Sequence, residues 1–116
     1  MRGVKAPSGV NMGNVLLIRT FLAKRIEAED MAAALLEQRL AACAQVSGPV
    51  WSSYRWKGEL QREEEYMLSV KTLEEHYSKL VAFINERHSY EVPEIIAVPV
   101  HAVNEAYLDW VREQCT

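Results

Sequence analysis

The pattern of apolar residues in the first half of this chain predicts a strand, then a helix, then a second strand. The run Val15–Ile18 is continuous and of strand length, which predicts a strand covered on both faces. Residues 27–41 carry apolar side chains at helical spacing and acidic residues at their start, where a helix N-terminus favours negative charge. Residues 44–59 are rich in β-branched and aromatic types, which predicts a strand, and Ser47-Gly48-Pro49 predicts a bend or bulge near its start.

The middle of the chain predicts a hairpin followed by a helix. Lys57-Gly58 is a candidate two-residue turn, and residues 66–71 then alternate as a strand paired antiparallel to the one before. Thr72 and Glu75 are spaced as in a capping box, ahead of a helical pattern that ends before Pro93.

The last third predicts a strand over residues 94–100 and a short helix capped by Asn104. The order β-α-β-β-α-β with an extra C-terminal helix is the split βαβ of a ferredoxin-like fold, so the predicted fold class is α+β with long hairpin strands. Residues 1–13 show no periodicity and are predicted to be a flexible tail, and residues 14–116 a single domain.

The predicted hairpin carries three aromatic side chains that need cover. Two helices on one face of the sheet leave the other face bare, and exposed apolar area marks interaction surfaces. We therefore expect other copies of the chain to cover it, with Trp51, Tyr54 and Trp56 as interface candidates.

Composition excludes several function classes. Hydrophobic residues make up 49% and charged residues 25% of the chain, values of ordinary globular proteins. The formal charge of −3, with acids and bases interspersed, disfavours nucleic-acid binding. The chain has neither the ~20-residue apolar run of a membrane span nor the apolar core of a secretory signal. The predicted location is the cytoplasm.

The motifs of several enzyme classes are missing from the sequence. It contains no Gly-x-Ser-x-Gly elbow and no phosphate-binding glycine loop, which argues against an enzyme and against an organic cofactor. Cys43 and Cys115 lie too far apart for a zinc motif. Cys43 lies among apolar residues and is expected to be buried, whereas Cys115 is the penultimate residue and is expected to be exposed.

Metal ligands are the stronger chemical signal. His88 and Glu94 bracket one tight turn, and an imidazole with a carboxylate suits a divalent ion. The alternative is structural: His88 and Tyr90 hydrogen-bond locally and fix the turn, while Glu94 caps backbone amides. Lys71 at a strand end is either an exposed charge or the partner of a carboxylate such as Glu59, Glu65 or Glu94. The run Glu63–Glu65 is typical of a solvated face.

Five motifs stand out along the chain: Arg39–Ala44, Tyr54–Gly58, Glu65 with Lys71-Thr72, His88–Ile96 and Tyr107–Trp110. In order and spacing, from about Val15 to Val111, they closely resemble the CutA family of divalent-cation tolerance proteins. The resemblance implies a ferredoxin-like subunit in a tight homotrimer, tolerance of copper and other divalent cations, and no enzymatic activity. It carries over His88 and Glu94 as ligands of a copper or zinc ion.

Two departures from the family pattern weaken the implied metal site. Arg19 stands where some relatives carry a cysteine that is a proposed copper ligand, and a cation there would repel copper. Ser89 stands where relatives commonly have proline, so the turn is expected to be less rigid. The expected affinity for metal is therefore low, since Cu(I) prefers sulfur.

The resemblance also leaves rival functions open. The family trimer is similar to that of the PII signalling proteins, which implies a regulatory module binding a small anionic ligand. Clefts between subunits, lined by Trp56, Lys71 and Tyr90, would hold that ligand through lysine and tyrosine donors. An interaction scaffold is the third candidate.

Overall fold

Residues 15–116 are described by a computed structural model, and they form a four-stranded sheet with three helices. The strands are β1 Val15–Leu22, β2 Cys43–Trp56, β3 Glu59–Leu73 and β4 Ile95–Pro99; the helices are α1 Arg25–Glu37, α2 Tyr77–Arg87 and α3 Glu105–Gln114. The sheet order is β2-β3-β1-β4, and every neighbouring pair is antiparallel. The predicted α+β, ferredoxin-like fold is therefore confirmed, while the predicted tail over residues 1–13 lies outside the described residues.

The main core lies between one face of the sheet and helices α1 and α2. Side chains alternate between the faces of a strand, so Ile18 on β1 and its neighbour Val70 on β3 point to the same side. Both are buried there against Leu35 of α1 and Leu80 of α2. The odd-numbered residues of β1 and β3 consequently lie on the opposite face, which we call the open face.

The hairpin of β2 and β3 contains the predicted bulge and the predicted turn. The register of the pair shifts between Ser47 and Val50, and Gly48 adopts φ +136°, a conformation that only glycine adopts freely. At the tip, Lys57 and Gly58 both have positive φ, as a two-residue primed turn requires. Both predictions are confirmed.

The capping box predicted at Thr72 and Glu75 is wrong. Thr72 belongs to β3, is fully buried, and donates its Oγ1 hydrogen to the carbonyl of Leu40 at 2.6 Å. A 3-10 turn at Glu74–His76 follows, and α2 begins only at Tyr77. The tertiary hydrogen bond holds Thr72 in the strand and removes its hydroxyl from any capping role.

Helix α3 covers one end of the open face. It packs Leu108 and Val111 against Val15 and Leu73 in a second, smaller core. Cys115 is buried in this core, so the expectation that it is exposed is wrong: the end of the helix is docked. The backbone carbonyl of Cys115 also accepts a 2.7 Å hydrogen bond from His76.

Much of the rest of the open face has no cover within residues 15–116. Ile96 and Val98 of β4 are exposed, as are Tyr54 and Trp56 on β2. Among residues 15–116, no helix combines the length and the apolar character that crossing a membrane would need.

Candidate functional site

A cleft of about 770 Å³ lies where the hairpin meets the loop before β4. The distal parts of β2 and β3 form one wall, and residues 89–94 form the other. The cleft is lined by four carboxylates and four aromatic rings: Glu63, Glu65, Glu91, Glu94, Phe21, Tyr54, Trp56 and Tyr90. The volume falls within the range of roughly 300–1,000 Å³ that small-molecule sites occupy.

Glu65 and Tyr90 form the buried end of this cleft. Glu65 is only 7% exposed, and its Oε2 accepts a 2.6 Å hydrogen bond from the Tyr90 hydroxyl. Burial and this carboxylate raise the pKa of Tyr90 well above its usual range, so the phenol keeps its proton. The interpretation of Glu63–Glu65 as a solvated face is wrong for Glu65. The period of two along β3, which places Glu65 on the face opposite Glu64, was the signal that could have found it.

Tyr54 and Glu63 form a second phenol–carboxylate pair nearer the hairpin tip. They lie on the open face of neighbouring strands, because Tyr54 pairs with Gln61, two residues from Glu63. Desolvation and the hydrogen bond with Glu63 raise the pKa of Tyr54, so this phenol also stays neutral. Each cleft phenol thus keeps its proton beside a glutamate of the cleft, and the Tyr90 hydroxyl donates a hydrogen bond to Glu65.

His88 lies behind the cleft, and both of its ring nitrogens are engaged. Nε2 lies 2.9 Å from the carbonyl oxygen of Phe21, and Nδ1 accepts the backbone N–H of Tyr90 at 3.1 Å. Because Nδ1 accepts, the imidazole is neutral and Nε2 carries the hydrogen donated to Phe21. Burial lowers the pKa of His88, which favours the same neutral form. The bond from the Tyr90 N–H is the local contact that the structural alternative expects, whereas the bond to Phe21 ties the turn to β1, which the sequence did not predict.

The two predicted metal ligands, His88 and Glu94, differ in how accessible their ligating atoms are. Glu94 lines the cleft and is exposed, so its carboxylate is accessible. His88 can bind an ion only after one of its two hydrogen bonds is broken. Within residues 15–116, no three or more His, Cys, Asp or Glu side chains form a group able to hold a metal ion. These donors do not fit a closed, tight metal site.

The three predicted cleft residues separate into two groups. Trp56 and Tyr90 line the cleft, whereas Lys71 does not. Lys71 lies further along the open face, where its Nζ donates to Oε1 of Gln45 at 3.0 Å and contacts Sγ of Cys43 at 3.8 Å. Its partners are thus an amide and a thiol rather than one of the carboxylates considered above.

Arg19 lies on the open face between β3 and β4, with Ser69 and Ile96 as its neighbours in register. Its Nε is buried, and no hydrogen-bond partner for that atom is present within residues 15–116. The Arg19 guanidinium therefore lies on the same face of the sheet as the cleft. A positive charge at this position is the one that we expected to repel copper.

Fold and site together define a class: a ferredoxin-like subunit with a projecting hairpin and an acidic, aromatic cleft at its base. The family model described as CutA1 divalent ion tolerance protein matches residues 16–114. The chain belongs to this family.

Relatives of known sequence agree with this assignment. A divalent-cation tolerance protein CutA from Thermus thermophilus is 44% identical over 86 residues, which cover 74% of this chain and 84% of that protein. The human protein CutA is 40% identical over 86 residues, covering 74% of this chain and 48% of that protein.

Solved structures of the same family share the fold. The structure of CutA from Synechococcus elongatus matches with a TM-score of 0.89 at 33% identity, covering 94% of this chain and 96% of the other. A protein from Archaeoglobus fulgidus, described as a periplasmic divalent cation tolerance protein CutA, matches with a TM-score of 0.85 at 31% identity. That match covers 88% of this chain and 99% of the other.

Proposed function

We propose that this chain contributes to divalent-cation tolerance as a non-enzymatic homotrimer that binds copper or zinc weakly through Glu94 and His88. Membership in a family named for divalent ion tolerance supports the process. The projecting hairpin, with apolar side chains exposed on both of its faces, is the observation that carries the assembly.

The hairpin is a two-stranded ribbon that needs cover from outside the subunit. Trp51 and Leu60 lie on the helix side of the sheet but beyond the helices, and they are 68% and 55% exposed. Tyr54 and Trp56 are exposed on the opposite side. An isolated ribbon of two strands is marginally stable in water, and large exposed apolar side chains mark interaction surfaces. Neighbouring copies supply that cover, and three is the number that the family resemblance implies.

The assembly is tested by the mass of the particle in solution. Size-exclusion chromatography with light scattering should give three times the 13.2 kDa of one chain. Trp51→Lys places a charge on the hairpin and should shift the population toward monomer. Ile26→Lys is the matched control, because Ile26 is a comparably exposed apolar residue that belongs to α1 and not to the hairpin. A stable wild-type monomer at micromolar concentration would refute the trimer.

Weak metal binding follows from the donors available. Glu94 offers one accessible carboxylate, while His88 must give up a hydrogen bond to Phe21 or Tyr90 before it can coordinate an ion. Arg19 occupies the position where some relatives carry a cysteine, so soft Cu(I) lacks the thiolate ligand that it prefers. Such a site takes up ions at raised concentration and releases them readily, which suits tolerance better than storage.

Metal binding is tested by native mass spectrometry with added Cu²⁺ or Zn²⁺. Up to one specific ion per subunit is expected for the wild type. The double variant with His88→Ala and Glu94→Gln should lose that uptake. Glu86→Gln is the control, because Glu86 is a well-exposed carboxylate on α2, outside the cleft. Equal uptake by all three proteins would show that ions bind only to surface carboxylates, and the metal site would be rejected.

The rival functions have less support in the geometry. A PII-like module binding an anionic ligand would use Lys71, but Lys71 does not line the cleft of one subunit. An interaction scaffold requires a protein partner, and no contact within residues 15–116 supports one. The cytoplasmic location stays a prediction, tested by fractionating cells that produce the protein.

A further inference from the structure

A separate cavity of about 350 Å³ lies between α1 and the C-terminal end of α2. Four residues that share one face of α1 form one wall: Glu27, Asp30, Met31 and Ala34. The other lining residues are Leu22 at the end of β1, Arg87 at the end of α2, and Ser89. None of them belongs to the hairpin or to β4, and Leu22 lies on the helix side of the sheet. The cavity is therefore separate from the surfaces that we assign to neighbouring copies.

The two carboxylates of this cavity lack partners. Oε1 of Glu27 is buried, and the side chains of Glu27 and Asp30 make no hydrogen bond or ion pair within residues 15–116. A buried acceptor without a donor costs free energy, which a cation bound to the same carboxylate would offset. An ammonium group has three N–H donors, so a single one can serve Glu27 and Asp30 together.

Arg87 places the opposite charge in the same cavity. Its Cζ lies 3.6 Å from the centre of the Phe83 ring, so the guanidinium rests on that ring. Its polar contacts are long: Nη1 lies 3.5 Å from the carbonyl oxygen of Phe83 and 3.7 Å from Oε2 of Glu86. Both contacts use Nη1, so Nη2 and Nε have no partner within residues 15–116. Adjacent free donors of a guanidinium are suited to bidentate binding of a carboxylate.

The apolar lining and the volume limit the rest of the ligand. Leu22 and Met31 are the most buried lining residues, and about 350 Å³ is near the lower end of the range for small-molecule sites. We propose that this cavity binds an aliphatic α-amino acid, with its ammonium group on Glu27 and Asp30, its carboxylate on Arg87 and its side chain on Leu22 and Met31. A simple anion meets two carboxylates there and a simple cation meets the guanidinium, whereas an amino acid matches both charges. The proposal goes beyond cation tolerance and does not use the metal site.

Isothermal titration of the intact protein, treated with a chelator to remove metal, tests this with L-leucine as the probe. Two control ligands each lack one charge of leucine: isocaproate lacks only the amino group, and isoamylamine lacks only the carboxylate. Leucine should bind saturably, and each control should bind about tenfold more weakly or not at all. Isoamylamine binding as tightly as leucine would reduce the cavity to a site for cations and overturn the assignment. The absence of saturable leucine binding at millimolar concentrations would also overturn it.

Variants of α1 test the ammonium end of the site. Glu27→Gln keeps the shape of the side chain but removes its charge, so it should weaken leucine binding about tenfold. Glu29→Gln is the matched control, because Glu29 is an exposed carboxylate of the same helix that does not line the cavity. Asp30 is exposed and makes no bond within residues 15–116, so Asp30→Asn should fold normally and keeps the test decisive if Glu27→Gln is unstable.

A variant of α2 tests the carboxylate end. Arg87→Gln should remove most of the advantage of leucine over isoamylamine, because the carboxylate of leucine loses its partner. Lys79→Gln removes a positive charge from an exposed position of α2 outside the cavity and should keep that advantage. Leucine binding unchanged in Glu27→Gln, Asp30→Asn and Arg87→Gln would place the ligand elsewhere and refute the site.

The outcome is separable from that of the proposed function. Leucine binding without specific metal uptake would support the amino-acid site and remove the metal site. Metal uptake lost in the His88 and Glu94 double variant, without leucine binding to the wild type, would do the reverse. The two experiments use the same purified protein and different residues, so neither result depends on the other.

Discussion

At the scale of single residues, His88 shows how one side chain joins the site to the fold. Its imidazole bridges Phe21 at the end of β1 and the backbone of Tyr90, and only the neutral ring makes both hydrogen bonds. Burial lowers the pKa of His88 in the folded state, while the unfolded chain keeps an ordinary value near 6.5. Above that pH His88 is neutral in both the folded and the unfolded chain, and its two hydrogen bonds contribute their full stabilisation to the fold.

The resulting prediction is a loss of stability in mild acid. As pH falls below about 6.5, the unfolded chain takes up a proton that the folded chain resists, so the free energy of unfolding decreases. Urea unfolding at fixed protein concentration between neutral pH and mild acid measures this slope. His88→Gln removes the titrating group and should flatten it, whereas His101→Gln, at an exposed position, should not. A slope unchanged by His88→Gln would contradict the assignment.

Thr72 gives a second prediction at this scale. Its buried hydroxyl satisfies the carbonyl of Leu40, so Thr72→Val leaves a buried acceptor without its donor. The expected cost is about 1–3 kcal/mol in the free energy of unfolding, measured by urea denaturation at fixed protein concentration. Thr116→Val makes the same replacement at an exposed position and should change the stability little. Equal effects of the two variants would mean that the buried hydrogen bond contributes nothing.

At the scale of elements, the β2 bulge shapes the inner wall of the cleft. A Cβ on Gly48 would lie 3.0 Å from the carbonyl oxygen of Glu65 and 3.0 Å from Cδ2 of Tyr66. The bulge thus packs directly against the strand segment that carries the buried carboxylate. Arg25 of α1 donates to the Gly48 carbonyl at 3.3 Å, which ties the bulge to the helix layer.

A comparison of two glycine variants tests this arrangement. Gly48→Ala combines φ +136° with a steric clash and should cost about 3 kcal/mol. Gly58→Ala at φ +81° meets no atom within 4 Å and should cost only about 1 kcal/mol, the price of the backbone conformation alone. Urea unfolding measures both. A similar loss in the free energy of unfolding for the two variants would show that the bulge accommodates the added methyl group without strain.

The sequence predicted elements whose signals are local and missed contacts that depend on tertiary packing. Lys57-Gly58 and Ser47-Gly48-Pro49 indicate a turn and a bulge through backbone chemistry alone. Thr72 was misassigned because its hydroxyl bonds a residue far away in sequence, which no local spacing reveals. Glu65 was missed because its partner, Tyr90, comes from another part of the chain. The cleft within one subunit was not predicted as such: Trp56, Lys71 and Tyr90 were assigned to clefts between subunits, Glu94 to a metal site, and Glu63 and Glu91 to no site.

At the scale of the whole molecule, the open face links the fold to assembly. Helix α3 covers only the end of this face near Val15 and Leu73, and the exposed remainder includes Ile96, Val98 and the aromatic side of the hairpin. The subunit measures 56 × 28 × 23 Å, an elongated shape for 102 described residues, 15 to 116, with much of its hairpin outside the core. Such a subunit gains from association, because burial of these side chains removes apolar area from water.

Association of this kind makes thermal stability depend on protein concentration. If folding and assembly are coupled, mass action raises the unfolding midpoint as the protein becomes more concentrated. Differential scanning fluorimetry over about a hundredfold range of concentration should show this rise for the wild type and for Ile26→Lys. Trp51→Lys weakens the association and should lower the midpoint most at the dilute end of the range. A wild-type midpoint that stays constant across the range would indicate a subunit that is stable by itself, and the exposed hairpin would then need a different occupant.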